Sequence, residues 1–225
     1  MEQRDASPAS RRAQDDSREA GCACLWVWRA GILGREMRVS QEKTYLQGLA
    51  ALLDNVEQQQ LARITGIIFG AYQRGNAIYA CGNGGSAATA SHWVVDMAKS
   101  INYGEGRPRY RALALTDNIS MITAWANDTA YENIFAEQLR NFVREGDVLV
   151  AISASGQSAN VLKAVELANA AGAITIGLAG YDGGKLKEIA QHCLVVPSFN
   201  MQHVEDAHLA ICHAIFVALR DRKVS

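Results

Sequence analysis

Residues 81–86, Cys81-Gly82-Asn83-Gly84-Gly85-Ser86, join the strand-like run Ala77-Ile78-Tyr79-Ala80 to a helical segment that ends near Lys99. Glycines let the backbone turn through positive φ and approach a ligand closely. The helix that follows offers free N–H groups and the positive end of its dipole, so the stretch reads as an anion cradle. A second junction of this kind lies downstream. The buried-strand pattern Val148-Leu149-Val150-Ala151-Ile152 runs into Ser153-Ala154-Ser155-Gly156-Gln157-Ser158, and a helix from about Ala159 to Ala171 follows. Hydroxyls and a turn glycine suit phosphate oxygens. Strand-to-helix turns are also commonly rich in Gly and Ser as ordinary caps, so either loop alone is weaker than the pair.

The first loop also fits the loose dinucleotide pattern G-x-G-x-x-(G/A), which asks for an acidic residue ~20 positions further on, at the end of the second strand. The next strand, Ala112–Leu115, ends at Asp117, well beyond that distance. A dinucleotide also leaves the Ser-rich loop without a role, and no nucleotide cofactor is expected.

The strand candidates are residues 77–81, 111–115, 147–152, 174–178 and 193–196, each separated from the next by helical pattern. Such alternation predicts an α/β fold with a parallel sheet covered on both faces and ligands beyond the carboxyl ends of the strands. Two amphipathic helices, Gln41 to about Glu57 and Gln60 to Gln73, precede the sheet, and a long helix from about Val204 to Arg220 follows it.

The whole chain has 225 residues, a net charge of −1 and 49% hydrophobic residues, enough for one well-buried α/β domain. With no Lys/Arg-rich block, neither nucleic acid nor a membrane surface is indicated as a partner. Five scattered cysteines without a C-x-x-C pair argue against a disulfide framework and for a reducing cytoplasm. Residues 1–36 mix charged and small polar residues without a helical period and are expected to be a disordered leader. The apolar run Cys22-Ala23-Cys24-Leu25-Trp26-Val27-Trp28 stops at Arg29, too short to span a bilayer. Initiation at Met37 would make the leader a start-site artefact, leaving one domain over 37–225.

Taken in order, Gly82-Asn83-Gly84-Gly85-Ser86, Asn127-Asp128, Gly146-Asp147-Val148-Leu149, Ser153-Ala154-Ser155-Gly156-Gln157-Ser158-Ala159-Asn160-Val161 and Asp182-Gly183-Gly184-Lys185 resemble the sugar isomerase (SIS) domain of the phosphoheptose isomerase type. The resemblance spans about Gln41–Arg220. It implies a five-stranded parallel sheet in a three-layer α/β/α sandwich, with long N- and C-terminal helices assembling a homotetramer whose active sites lie at subunit interfaces. It also implies conversion of sedoheptulose 7-phosphate into an aldoheptose 7-phosphate on the way to heptose for cell-surface glycans.

By the same resemblance Asn83, Gly84, Gly85, Ser86, Asn127, Asp128, Ser153, Ala154, Ser155, Ser158 and Glu205 contact the sugar phosphate. Asp96 and His213 are the proton-transfer residues, and His92, Asp96, Glu205 and His213 hold one zinc ion per subunit. The chain departs from the family at three of these positions. Ala154 stands where threonine is common, Asp96 where glutamate is usual and Glu205 where glutamine is usual.

The residues themselves support part of this assignment. Moving a proton between adjacent carbons through an enediol takes a base and a second group that shuttles protons between oxygens, and a carboxylate with an imidazole suffices. His92 and Asp96 lie four apart and share a helix face, a spacing that also suits metal ligation. Glu205 and His213 would stand about 12 Å apart on a continuous helix, too far to share a metal. Either the helix starts after Glu205 or different subunits contribute.

His208 is expected to be structural or to pair with Glu205, whereas His192 and His203 carry only loop polarity. Asp182 is expected to cap a turn, and Trp93, Trp125 and the cysteines to pack. A non-catalytic adaptor of the same architecture, like the DnaA initiator-associating protein, is the competing function. It lacks the helix carboxylate and the last-helix histidine that Asp96 and His213 supply. A sugar-phosphate-sensing regulator would need a DNA-binding helix-turn-helix segment, and none accompanies the domain.

Overall fold

Five apolar runs become five strands: β1 (Ala77–Cys81), β2 (Arg111–Ala114), β3 (Val148–Ser153), β4 (Ile174–Gly180) and β5 (His192–Val196). All pair in parallel, in the order β2-β1-β3-β4-β5. The computed structural model describes residues 40–222; the predicted leader, the Met37 start and the apolar run 22–28 lie outside the described residues. Contacts divide the chain between Thr44 and Tyr45, and the unit from Tyr45 onward carries the whole sheet and its covering helices.

The helices are α1 (Gln41–Asp54), α2 (Gln58–Arg74), α3 (Gly85–Val95), α4 (Ile119–Asp128), α5 (Ala136–Arg140), α6 (Ala159–Ala170), α7 (Gly184–Ile189) and α8 (Met201–Arg220). Every residue of β1 and β3 is buried, because these strands are covered on both faces. Alternate side chains of one strand enter opposite cores. Ile78 and Ala80 join Ile64 and Ile68 of α2, Trp93 of α3 and Ile211 of α8. Ala77, Tyr79 and Cys81 join Phe135, Leu139 of α5 and Val161 and Val165 of α6. The result is the expected three-layer sandwich. Trp93 is almost fully buried, and the thiols of Cys81 and Cys212 are held protonated by burial, which pushes both up to about 12. These groups pack and do not react.

The strand order reverses between β1 and β3, the two strands that the cradles follow, and a doubly wound sheet opens a crevice at that point. The helix after the first cradle has the expected length, but its last turn, Asp96–Ser100, is a π-helix, as the Ile101 N–H bonding back to the Asp96 carbonyl at 3.2 Å shows. Such widened turns often mark functional positions. Helix α8 begins at Met201, earlier than its apolar pattern suggests, because Asn200 caps it by accepting the His203 N–H at 3.2 Å. His203 is not a loop residue: its Nε2 lies 3.0 Å from the Tyr45 carbonyl and its ring packs on that tyrosine.

Candidate active site

Two loops approach one another across the switch point. In the first, Gly84 has φ 53° and ψ −122°, a conformation essentially reserved for glycine, and it turns the chain into α3 with no side chain capping the first N–H groups. Ser86 is buried in that first turn. In the second, the Ser153 and Ser158 hydroxyls lie 3.1 Å apart, and Ser155 Oγ accepts the Gln157 N–H at 3.2 Å. Gly156, at φ 63°, backs directly against the Gly183 carbonyl, where a Cβ would not fit. The turn behind it is tied by Asp182, whose Oδ1 accepts the Gly184 N–H at 3.0 Å, as expected. Ser158 precedes α6 without capping it, whereas α4 and α8 are capped by Asn118 and Asn200. Neither Gly84 nor Ser158 thus caps its helix with a side chain, although within α6 the Val161 N–H is met by Asn160 Oδ1 at 3.0 Å.

The loops are bridged by an amide pair. Asn83 Nδ2 donates to Asn160 Oδ1 at 2.9 Å, and Asn160 Nδ2 donates back to Asn83 Oδ1 at 2.8 Å. A cleft of about 440 Å³ lies beside this bridge, lined by Asn83, Tyr131, Glu132, Ser158 and Asn160 with two alanines. Asn127 and Asp128, expected to touch the same ligand, are exposed at the end of α4, where Asn127 Nδ2 donates to Asp128 Oδ1 at 2.8 Å. They do not line this cleft.

A second constellation forms between α3 and α8. Asp96 Oδ2 lies 3.5 Å from His92 Nε2 and 3.6 Å from His213 Nε2, and the two imidazole nitrogens are 3.1 Å apart. The three donor atoms lie within 4.8 Å of one another, so the set fits a divalent metal. Glu205, the fourth expected ligand, is not among them. Helix α8 is continuous from Met201 to Arg220, which puts Glu205 about 12 Å from His213 along the axis. Its carboxylate instead lies over Gly85 at the start of α3, in the space a Cβ would take. That removes the alternative in which the helix begins after Glu205.

His208 does not pair with Glu205. It is 1% exposed, and its Nε2 lies 3.1 Å from the Ala179 carbonyl on β4. Since a carbonyl only accepts, Nε2 carries the proton. Nδ1 has no partner, and burial lowers the imidazole pKa to about 4, only partly offset by the bond to Ala179. Sequence reasoning passed over Tyr131 altogether and gave Asn160 no role; neither belongs to a local pattern that signals contact with Asn83.

The SIS-domain family model matches residues 44–180. The chain is 38% identical over 169 residues to the phosphoheptose isomerase of Akkermansia muciniphila, covering 75% of this chain and 86% of that protein. It is 39% identical over 156 residues to the phosphoheptose isomerase of Crocosphaera subtropica, covering 69% and 78%. Its structure matches that of the Neisseria gonorrhoeae phosphoheptose isomerase with a TM-score of 0.74 at 31% identity, over 81% of this chain and 96% of that one. For the Francisella tularensis phosphoheptose isomerase the TM-score is 0.77 at 27% identity, over 83% and 100%.

Proposed function

The chain belongs to the SIS-domain family, and on that premise we propose that it is a phosphoheptose isomerase. The reaction is conversion of sedoheptulose 7-phosphate into D-glycero-D-manno-heptose 7-phosphate through an enediol. The observation that carries this is the pairing of a double Gly- and Ser-rich cradle at the switch point with a carboxylate set between two imidazoles.

Ser153, Ser155 and Ser158 with the start of α6 take the phosphate, and Ala154 contributes its backbone alone. Asn83, Gly84, Gly85 and Ser86 meet sugar oxygens, with Asn127 and Asp128 at the rim. Asp96 takes the proton from one carbon and returns it to the next, while His213 moves a proton between the hydroxyl and carbonyl oxygens. His92, Asp96 and His213 are the residues that would hold zinc, which when bound supplies Lewis-acid polarisation of the substrate carbonyl. An adaptor has no use for such a constellation.

Asp96 lies eleven residues beyond Gly85 on the same helical run, so the proton-transfer groups stand well down α3 from the cradle that opens it. We read the complete site as assembled from neighbouring copies in a homotetramer. Supporting this, α1 buries no residue of its own, and Leu46, Val95 and Val217 are exposed on α1, α3 and α8. Glu205 would then reach a metal only from a second copy. No helix among the described residues is long and apolar enough to cross a membrane. Cysteine usage, with Cys81, Cys193 and Cys212 free, supports the cytoplasm as the compartment.

The test is NMR of the protein with sedoheptulose 7-phosphate in deuterated solvent, with added zinc and with chelator. A new aldose anomeric signal with deuterium at the exchanging carbon is expected. Saturable binding without either signal would sink sedoheptulose 7-phosphate as the substrate and leave a different sugar phosphate or the adaptor. In the same assay Ser155→Ala should raise KM about tenfold with kcat within threefold, since one hydroxyl bond to phosphate is lost while the backbone donors remain.

A further inference from the structure

Neither the cradles nor the proton-transfer pair accounts for Tyr131, an aromatic residue that stays 59% exposed at the cleft. It opens the 3-10 turn Tyr131–Asn133, and that turn is tied down. Lys163 of α6 pairs with Glu132 and donates to Asn133 Oδ1 at 3.0 Å, and Asn133 Nδ2 donates to Thr129 Oγ1 at 3.2 Å. The ring is therefore held at the cleft by its neighbours on both sides in sequence.

Its hydroxyl has a defined partner. Tyr131 Oη lies 3.1 Å from Asn83 Oδ1, which also accepts Asn160 Nδ2. Both lone pairs of that carbonyl are thereby used. Asn160 Oδ1 is likewise filled, by Asn83 Nδ2 and by the Val161 N–H at 3.0 Å. Each amide keeps one N–H outside this network, so the bridge has donors to offer and no free acceptor. Acceptor capacity next to it remains on the Tyr131 hydroxyl oxygen, which has given its proton to Asn83.

We propose that Tyr131 is a specificity-determining substrate residue. Its hydroxyl fixes the Asn83 amide with N–H toward the ligand and accepts a hydrogen bond from a sugar hydroxyl, and its ring walls the cleft and sets which chain length fits. The ligand class is a phosphorylated polyhydroxy ketone, whose carbonyl and hydroxyl oxygens need donors and whose hydroxyl protons need an acceptor. This rests on the isomerase function proposed above.

The experiment compares wild type, Tyr131→Phe and Tyr131→Ala on ketose phosphates of five, six and seven carbons, with calorimetry of inorganic phosphate binding alongside. Tyr131→Phe should raise KM about fivefold with kcat within twofold, the size of one lost hydrogen bond. Tyr131→Ala should raise it at least tenfold and shrink the ratio of kcat/KM between seven- and five-carbon substrates at least fivefold. Phosphate affinity should stay within twofold in both. Unchanged KM and unchanged chain-length discrimination would overturn the proposal, as would phosphate affinity falling in step with KM, which marks collapse of the cradle. If wild type neither binds nor turns over any of the three sugars, the isomerase function itself has failed; if it does and the variants match it, only the role of Tyr131 has.

Discussion

Replacing His213 with alanine should lower kcat by about 10²–10⁴-fold while KM moves by less than threefold, the pattern of a group used in the transition state rather than in binding. The imidazole sits at the far end of α3 from Gly84 and Gly85, so its loss leaves both cradles intact. Asp96→Asn should do the same, because the amide keeps the shape of the side chain and loses the basic oxygen. The two effects should not add: once either proton-transfer group is gone the enediol path is closed, and the double variant should be no slower than the worse single one. His92→Ala is the informative control. Its nitrogen is 3.1 Å from that of His213, but the proposed mechanism gives it no proton to transfer, so its cost should be confined to the activity that chelator also removes. Solvent deuterium uptake at the exchanging carbon reads the step directly. Full uptake in His213→Ala with only product formation lost would bear out its handling of the oxygen protons; full uptake in Asp96→Asn would remove Asp96 as the base.

What was legible in the sequence was what is encoded locally. The cradles announce themselves because positive φ and uncapped helix starts demand particular residues at adjacent positions, as at Gly84 and Gly156. His92 and Asp96 are four apart on a helix, so their shared face is local too. The meeting of His213 with them is not, since 121 positions separate it from His92, and it was anticipated only through the family resemblance. The same distance in sequence hides the Asn83–Asn160 bridge, across 77 positions, and the contact of Tyr131 with Asn83. Glu205 shows the opposite case, an assignment that geometry within one subunit does not reach. Its assignment as a ligand came with the resemblance, whereas the continuity of α8, which sets it apart from His213, follows from where Asn200 places the cap. The widened turn at Asp96 left no trace in the apolar pattern.

His208 had a sign in the sequence that was easy to pass over. The buried face of α8 runs Val204, Ala207, His208, Ile211, Cys212, Ile215 and Leu219, so this imidazole occupies an apolar position of a helical stripe. Stability should therefore fall on the acid side. The folded-state pKa, about 4, is below the 6.5 of an unburied histidine, so between those values the unfolded chain binds more protons than the folded one. The contribution is fully present above pH 6.5, is lost as pH falls toward 4 and changes no further below that. Across the window the loss is roughly 3 kcal/mol, a large part of a typical domain's margin.

The check is urea unfolding of wild type and His208→Leu at several pH values from 8 to 4. At pH 8 the variant should be the weaker by about 1–2 kcal/mol, because the Ala179 carbonyl loses its donor in a buried place. The gap should close and then reverse as pH drops, since leucine has nothing to protonate. His192, whose pKa is also lowered by burial and by Arg63, is common to both proteins and cancels in the difference. A gap that stays constant from pH 8 to 4 would mean that His208 is not held neutral in the folded protein. Ala179 pairs with Ser153 across the β3–β4 ladder, so protonation puts a buried, unpaired charge beside the strand end that carries the second cradle. Acid should weaken substrate binding in wild type before the protein unfolds, and less so in His208→Leu.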